Sequence, residues 1–209
     1  MKIKLSLSDI DKILEIGELV KKGGVIVYPT DTVYGIGGNP FLEDVIIRVK
    51  NIKQREEKAM PILVSSLEKA KEIAYFNDFA LKIANIFWPG PLTIVLKTKV
   101  KFSPHLTGGR DNIGLRIPNH KLALKIIEAS GGLIIGTSAN ISGRPPALSI
   151  EDIDESIKSS VDIVIDGGKC YLGKPSTVIE VIDSKIKIIR IGAIKIEEFI
   201  KRGISIEGI

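Results

Sequence analysis

Apolar positions along the chain fall into two recurring patterns. Ile10, Ile13, Leu14, Leu19 and Val20 recur at helical spacing between Ser8 and Gly23-Gly24, and predict a helix over about 9–22 with Ser8 as N-cap. Short apolar runs bounded by Pro, Gly and polar residues predict buried strands at 25–28, 61–64, 92–97, 113–118, 133–135 and 162–165. Further helices are predicted at 43–53, 67–74, 78–87, 121–129, 150–159 and 195–202, with Trp88-Pro89-Gly90-Pro91 breaking the one before it. The segments 176–181 and 185–190 alternate like a hairpin, the second strand turning its lysines to solvent. With no repeat and no low-complexity linker, the pattern describes one mixed α/β domain over 1–209.

Two of the predicted strands empty into loops rich in hydroxyls, amides and glycines. One is 136–146, with Thr137, Ser138, Asn140, Ser142 and Arg144; the other is 30–38, with Thr30, Asp31, Thr32 and three glycines. The ends of buried strands are where α/β proteins place ligands, although a turn satisfying its own backbone has the same composition. Cations accompany these loops: Lys53 and Arg55 just past a helix, Arg116 among apolar neighbours on a strand, and Arg190 closing another strand. Aimed at one cleft, they suit a polyanion such as a triphosphate. The alternatives are a solvated helix end for Lys53 and Arg55 and a partly buried ion pair for Arg116, whose charge would be costly without a partner.

Composition narrows the chemistry. Hydrophobic residues at 44% and charged residues at 26% are ordinary globular usage, and the net charge of +5 suits either an anionic ligand or lysine-rich solvated faces. The single Cys170 excludes an internal disulfide and a multi-cysteine metal site, and the two histidines, His105 and His120, read as loop or cap residues. Without a leader or an apolar run of ~18 residues, the chain is expected to be soluble, cytoplasmic and free of membrane contact. Neither a P-loop nor a dinucleotide fingerprint is present. Ser138 lacks the nucleophile elbow of serine hydrolases, and Cys170 reads as an inert or surface thiol.

Six motifs occur in order between about Lys21 and Gly192: Tyr28-Pro29-Thr30-Asp31-Thr32-Val33-Tyr34-Gly35, Lys53-x-Arg55, Trp88-Pro89-Gly90-Pro91-Leu92-Thr93, Gly114-x-Arg116-x-Pro118, Thr137-Ser138-Ala139-Asn140-x-Ser142-Gly143 and Ser176-Thr177-Val178. Together they closely resemble the YrdC/TsaC family of threonylcarbamoyl-adenylate synthases. The resemblance implies a YrdC-like twisted mixed open sheet, flanked by helices, with a central basic cleft. It implies synthesis of threonylcarbamoyl-AMP from L-threonine, bicarbonate and ATP with release of pyrophosphate, feeding modification of adenosine 37 in tRNAs that read ANN codons.

By the same resemblance Lys53, Arg55, Ser138 and Asn140 form the catalytic group around ATP, and Lys58, Asn112 and Arg190 lie near the nucleotide. Thr32, Arg116 and Ser176 surround threonine. Mg2+ is the implied cofactor, carried mainly by the ATP phosphates. A threonylcarbamoyl transferase acts downstream, and RNA or tRNA contact fits the basic charge. Two departures stand out: Glu56 replaces the family's usual Pro in a loop one residue short before Lys58 and Pro61, and the chain ends soon after Arg190, like the short single-domain form. A non-catalytic RNA-binding module of the same fold is the alternative. Carbamoyl transfer, as in hydrogenase maturation proteins, ranks behind both, because the metal-binding and acylphosphatase parts of those longer chains are missing.

Overall fold

A computed structural model describes residues 1–54 and 58–208. In chain order its elements are β1 (Lys2–Lys4), α1 (Ile10–Lys21), β2 (Ile26–Tyr28), β3 (Gly35–Gly37), α2 (Glu43–Ile52), β4 (Ile62–Val64), α3 (Leu67–Ile73), α4 (Asp78–Phe87), β5 (Leu92–Lys97) and α5 (Pro104–Thr107). They continue with β6 (Asn112–Arg116), α6 (Lys121–Ala129), β7 (Leu133–Ile135), β8 (Thr137–Ser138), a 3-10 turn (Ile150–Asp152), α7 (Glu155–Ser160), β9 (Ile163–Asp166), β10 (Thr177–Ile182), β11 (Lys185–Arg190) and α8 (Ile196–Ile200).

The strands form two open mixed sheets, ordered β1-β9-β2-β3-β8 and β11-β10-β5-β6-β4-β7, flanked by helices. Glycine 136 is the hinge between them, with β7 in one sheet and β8 in the other. A Cβ there would lie 2.5 Å from Leu63 Cγ, so only hydrogen fits where the sheets meet. Gly37 is tighter still, since its Cβ would lie 1.9 Å from the Ile135 carbonyl oxygen. The pairs Gly35↔Ser138 and Ile36↔Thr137 join β3 to β8. Tertiary pairing thus places the two hydroxyl-rich loops side by side.

Several details differ from the sequence expectation. Asp9, not Ser8, stands at the N-cap of α1, and its carboxylate accepts from the amide and hydroxyl of Ser6. Ile13, Ile16, Gly17 and Val20 form the buried face of α1, while Ile10 and Leu14 are exposed. Packing against α6 selects that stripe, because a Cβ on Gly17 would meet Ala129 at 2.5 Å. The helix expected at 150–159 is broken into the 3-10 turn and α7. The strands β1, β3 and β8 and the short helix α5 were not expected at all. Among the described residues, no helix is long and apolar enough to cross a membrane.

Candidate active site

Arg116 ends β6 with 5% exposure, and three groups hold its guanidinium. Nε donates to the Gly90 carbonyl at 3.0 Å, Nη1 donates to Thr32 Oγ1 at 2.9 Å, and Nη2 pairs with Asp31 Oδ1. Burial lowers the Arg116 pKa while the Asp31 carboxylate opposes that shift, and the guanidinium stays charged. The Trp88-Pro89-Gly90-Pro91 motif is the rest on which this side chain lies. Trp88 Nε1 donates to the Leu92 carbonyl at 2.7 Å and the Gly90 amide donates to Ile117 at 2.8 Å, which fixes the Gly90 carbonyl beneath Arg116. On the other side, the Thr30 hydroxyl folds the 30–33 turn by donating to the Val33 carbonyl at 2.6 Å and accepting the Thr32 and Val33 amides.

Ser176 and Arg190 form the facing wall. Ser176 Oγ lies 2.9 Å from Thr93 Oγ1, and Arg190 Nη2 donates to the Ser176 carbonyl at 2.9 Å. Thr177 is turned away, accepting the Gly192 and Ile194 amides and donating to the Ile194 carbonyl, so its role is to shape the turn after β11. Arg190 is exposed along its length, yet its guanidinium reaches into the cleft; burial first and repulsion from Arg116 second lower its pKa. The cavity, partly open to solvent, is about 80 Å3, room for a handful of waters, and Thr32, Pro61, Arg116, Ser138, Ser176 and Arg190 contribute to its lining. Two guanidiniums against one carboxylate leave it positive. A small ligand with an anionic group fits, whereas a nucleotide must extend outside.

Next to this cavity, Lys53 caps α2 with 1% exposure. Its ammonium donates to the Ser138 carbonyl and, at 2.7 Å, to the Asn140 carbonyl, while the Lys53 carbonyl accepts the Ser142 amide at 3.0 Å. The solvated helix end weighed for Lys53 is therefore excluded. Asn140 Nδ2 donates to the Ile141 and Arg144 carbonyls at 3.0 and 2.7 Å, and its buried Oδ1 has no partner among the described residues. Ser138 stays half-buried at the cavity lip.

Thr32, Arg116, Ser138, Ser176 and Arg190 are thus brought together, with Lys53 and Asn140 directly behind Ser138. Asn112 is not: it begins β6, four residues and ~13 Å of extended chain from Arg116, and donates to Glu180 Oε1 at 3.0 Å in a separate cleft. Lys58 is exposed, and Arg55 lies outside the described residues. Asp31, Gly90 and Thr93, which the sequence did not single out as site residues, hold Arg116 and Ser176 in place. An acid flanked by threonines at the end of a buried strand was the available signal for Asp31.

Among the described residues there is no cluster of three or more His, Cys, Asp or Glu side chains that could hold a metal. The oxygen donors at or behind the cleft are the Thr32, Ser138 and Ser176 hydroxyls and the orphaned Asp31 Oδ2 and Asn140 Oδ1, with a single carboxylate among them. That donor set fits a Mg2+ ion delivered on phosphates better than one caged by protein.

Cys170 is buried, not on the surface, and burial pushes its thiol pKa up to about 11. At pH 8 iodoacetamide is expected to modify it at least ~100-fold more slowly in the native protein than in the unfolded chain. Equal rates by mass spectrometry would contradict this environment. His120 caps α6, accepting the Ala123 amide at Nδ1 over 3.2 Å, and burial lowers its pKa so that this nitrogen stays free to accept.

The fold and cavity define an α/β protein with a cationic pocket where two sheets meet. The chain belongs to the Sua5/YciO/YrdC family, whose model, described by the words telomere recombination, matches residues 18–192. It is 41% identical over 90% of its length to a Methanocaldococcus jannaschii relative, covering 89% of that protein, whose name assigns threonylcarbamoyl-AMP synthase activity provisionally. A Pyrococcus abyssi threonylcarbamoyl-AMP synthase is 36% identical over 87% of this chain, which spans 54% of that relative. The crystal structure of P. abyssi Sua5 complexed with L-threonine superposes with a TM-score of 0.91 at 33% identity, covering 99% of this chain and 62% of that one.

Proposed function

We propose that this chain condenses L-threonine, bicarbonate and ATP to threonylcarbamoyl-AMP, pyrophosphate and water, and that the product serves a transferase modifying adenosine 37 of ANN-decoding tRNAs. The observation that carries this reading is Arg116: buried, held by three partners, and left with two of its five N–H groups for a ligand in a cavity smaller than a nucleotide. A threonine carboxylate matches the remaining donors of Arg116 and Arg190. The Thr32 and Ser176 hydroxyls suit its hydroxyl and amine. Excess positive charge also favours the unprotonated amine, which is the form that reacts with bicarbonate.

ATP is then accommodated beyond Ser138, along the loop held by Lys53. In-line attack of the carbamate oxygen on the α-phosphorus brings two anions together, and Lys53, Arg55 and Arg190 offset their repulsion. Ser138 and Asn140 act as orienting hydrogen-bond groups, so no covalent enzyme intermediate is needed. Ser138 Oγ and Asn140 Oδ1 would be the oxygen donors offered to a Mg2+ ion carried on the phosphates, which when bound would supply charge neutralisation. Burial of Lys53 and Arg116 takes these two cations out of reach of an RNA backbone.

Calorimetric titration tests this reading. L-threonine and a non-hydrolysable ATP analogue should each raise the affinity for the other by the same factor. Absence of binding by either ligand would overturn it.

A further inference from the structure

We infer that Asp31 is a positioning residue for the substrate carboxylate: it holds the Arg116 fork in the plane that leaves two N–H groups free, and links that plane to the far wall of the pocket. The inference rests on the amino-acid reading of the cavity. Asp31 is fully buried, with Oδ1 on Arg116 and Oδ2 without a hydrogen-bond partner among the described residues. Its carbonyl accepts the Leu172 amide at 3.1 Å, three residues before Pro175, which lines the cavity. One residue therefore touches both the arginine and the segment opposite it.

A carboxylate withdrawn from water with one oxygen unpaired opposes folding, and such costs persist where function needs the group. Its neighbours His120, Cys170 and Tyr171 are uncharged at neutral pH, burial lowering the first and raising the other two. Arg116 is thus the charged group that Asp31 meets. Within the pair the charges cancel, so Asp31 does not help an anion bind electrostatically. Its contribution is directional. A guanidinium is a rigid planar fork, and contacts to Gly90, Thr32 and Asp31 together fix where its remaining donors point.

These two effects have opposite signs, which makes the inference testable by Asp31→Asn. Removing an anion from a pocket that receives an anion tightens binding if electrostatics alone acts, whereas losing the fixed fork weakens it. Steady-state kinetics should show the threonine KM raised at least ~10-fold and the ATP KM within about twofold of wild type. Adding Asp31→Asn to Arg116→Gln should leave the threonine KM of the single Arg116 variant unchanged, because Asp31 acts through Arg116. Should Asp31→Asn not fold, Asp31→Glu keeps the charge but displaces the fork, and should raise the threonine KM in the same selective way. A threonine KM at or below the wild-type value in the folded Asp31 variant, or additive losses in the double variant, would overturn the inference. Failure of the wild-type protein to bind threonine would instead overturn the substrate reading.

Discussion

Replacing Arg116 by Gln is expected to weaken L-threonine binding by ~10–100-fold, the loss of charge-assisted hydrogen bonds, and to destabilise the fold by about 3–5 kcal/mol. Both effects follow from the burial of the pair. Gln reaches neither the Gly90 carbonyl nor a carboxylate with a matching fork, and Asp31 is left without its counter-ion at 0% exposure. Urea unfolding and threonine calorimetry on the same preparation separate the two losses. A variant of wild-type stability and threonine affinity would mean that the ion pair neither supports the fold nor binds substrate.

The second large effect is expected at Lys53. Lys53→Met keeps the buried stem but removes the ammonium that joins the Ser138 and Asn140 carbonyls. Leaving those acceptors short of a donor costs about 2–4 kcal/mol, taking roughly 1–2 kcal/mol for each. Adenylate formation should fall at least ~100-fold, since shifting a catalytic loop by an ångström costs that much. Threonine binding should change little, because Arg116, Thr32 and Ser176 do not depend on this loop. Adenylate formation followed by mass spectrometry checks the rate, and unchanged turnover in Lys53→Met would remove the loop from the mechanism.

How far the sequence foretold this architecture depends on what sets each element locally. The helix α4 has the bounds read from the sequence because Asn77 caps it, accepting the Ala80 amide at 2.8 Å, and the Trp88-Pro89 motif stops it. Likewise β5, α6 and β7 carry unbroken apolar patterns and run as expected. By contrast β3 is one isoleucine between two glycines and β8 is two hydroxyl residues; only their pairing with each other and of β3 with β2 makes them strands. On α1, several apolar stripes overlap, and contact with α6 rather than periodicity decided which was buried.

The site was legible to a similar degree. Arg116 stood out as a charge among apolar neighbours, and the need for a partner followed from physics. The partner did not, because Asp31 lies 85 residues away in sequence. Family resemblance put Asn112 near the nucleotide, and only the coordinates show that it opens β6 and donates to Glu180. Lys53 was recognised as a cation near the loop, while its role in holding the loop's own carbonyls required coordinates.

Threonine-dependent release of pyrophosphate is the most direct measurement of the central claim. With L-threonine, bicarbonate, Mg2+ and ATP, pyrophosphate is expected to form in step with threonylcarbamoyl-AMP, and none is expected when threonine is omitted. Pyrophosphate released equally without threonine, or none with every substrate present, would contradict it.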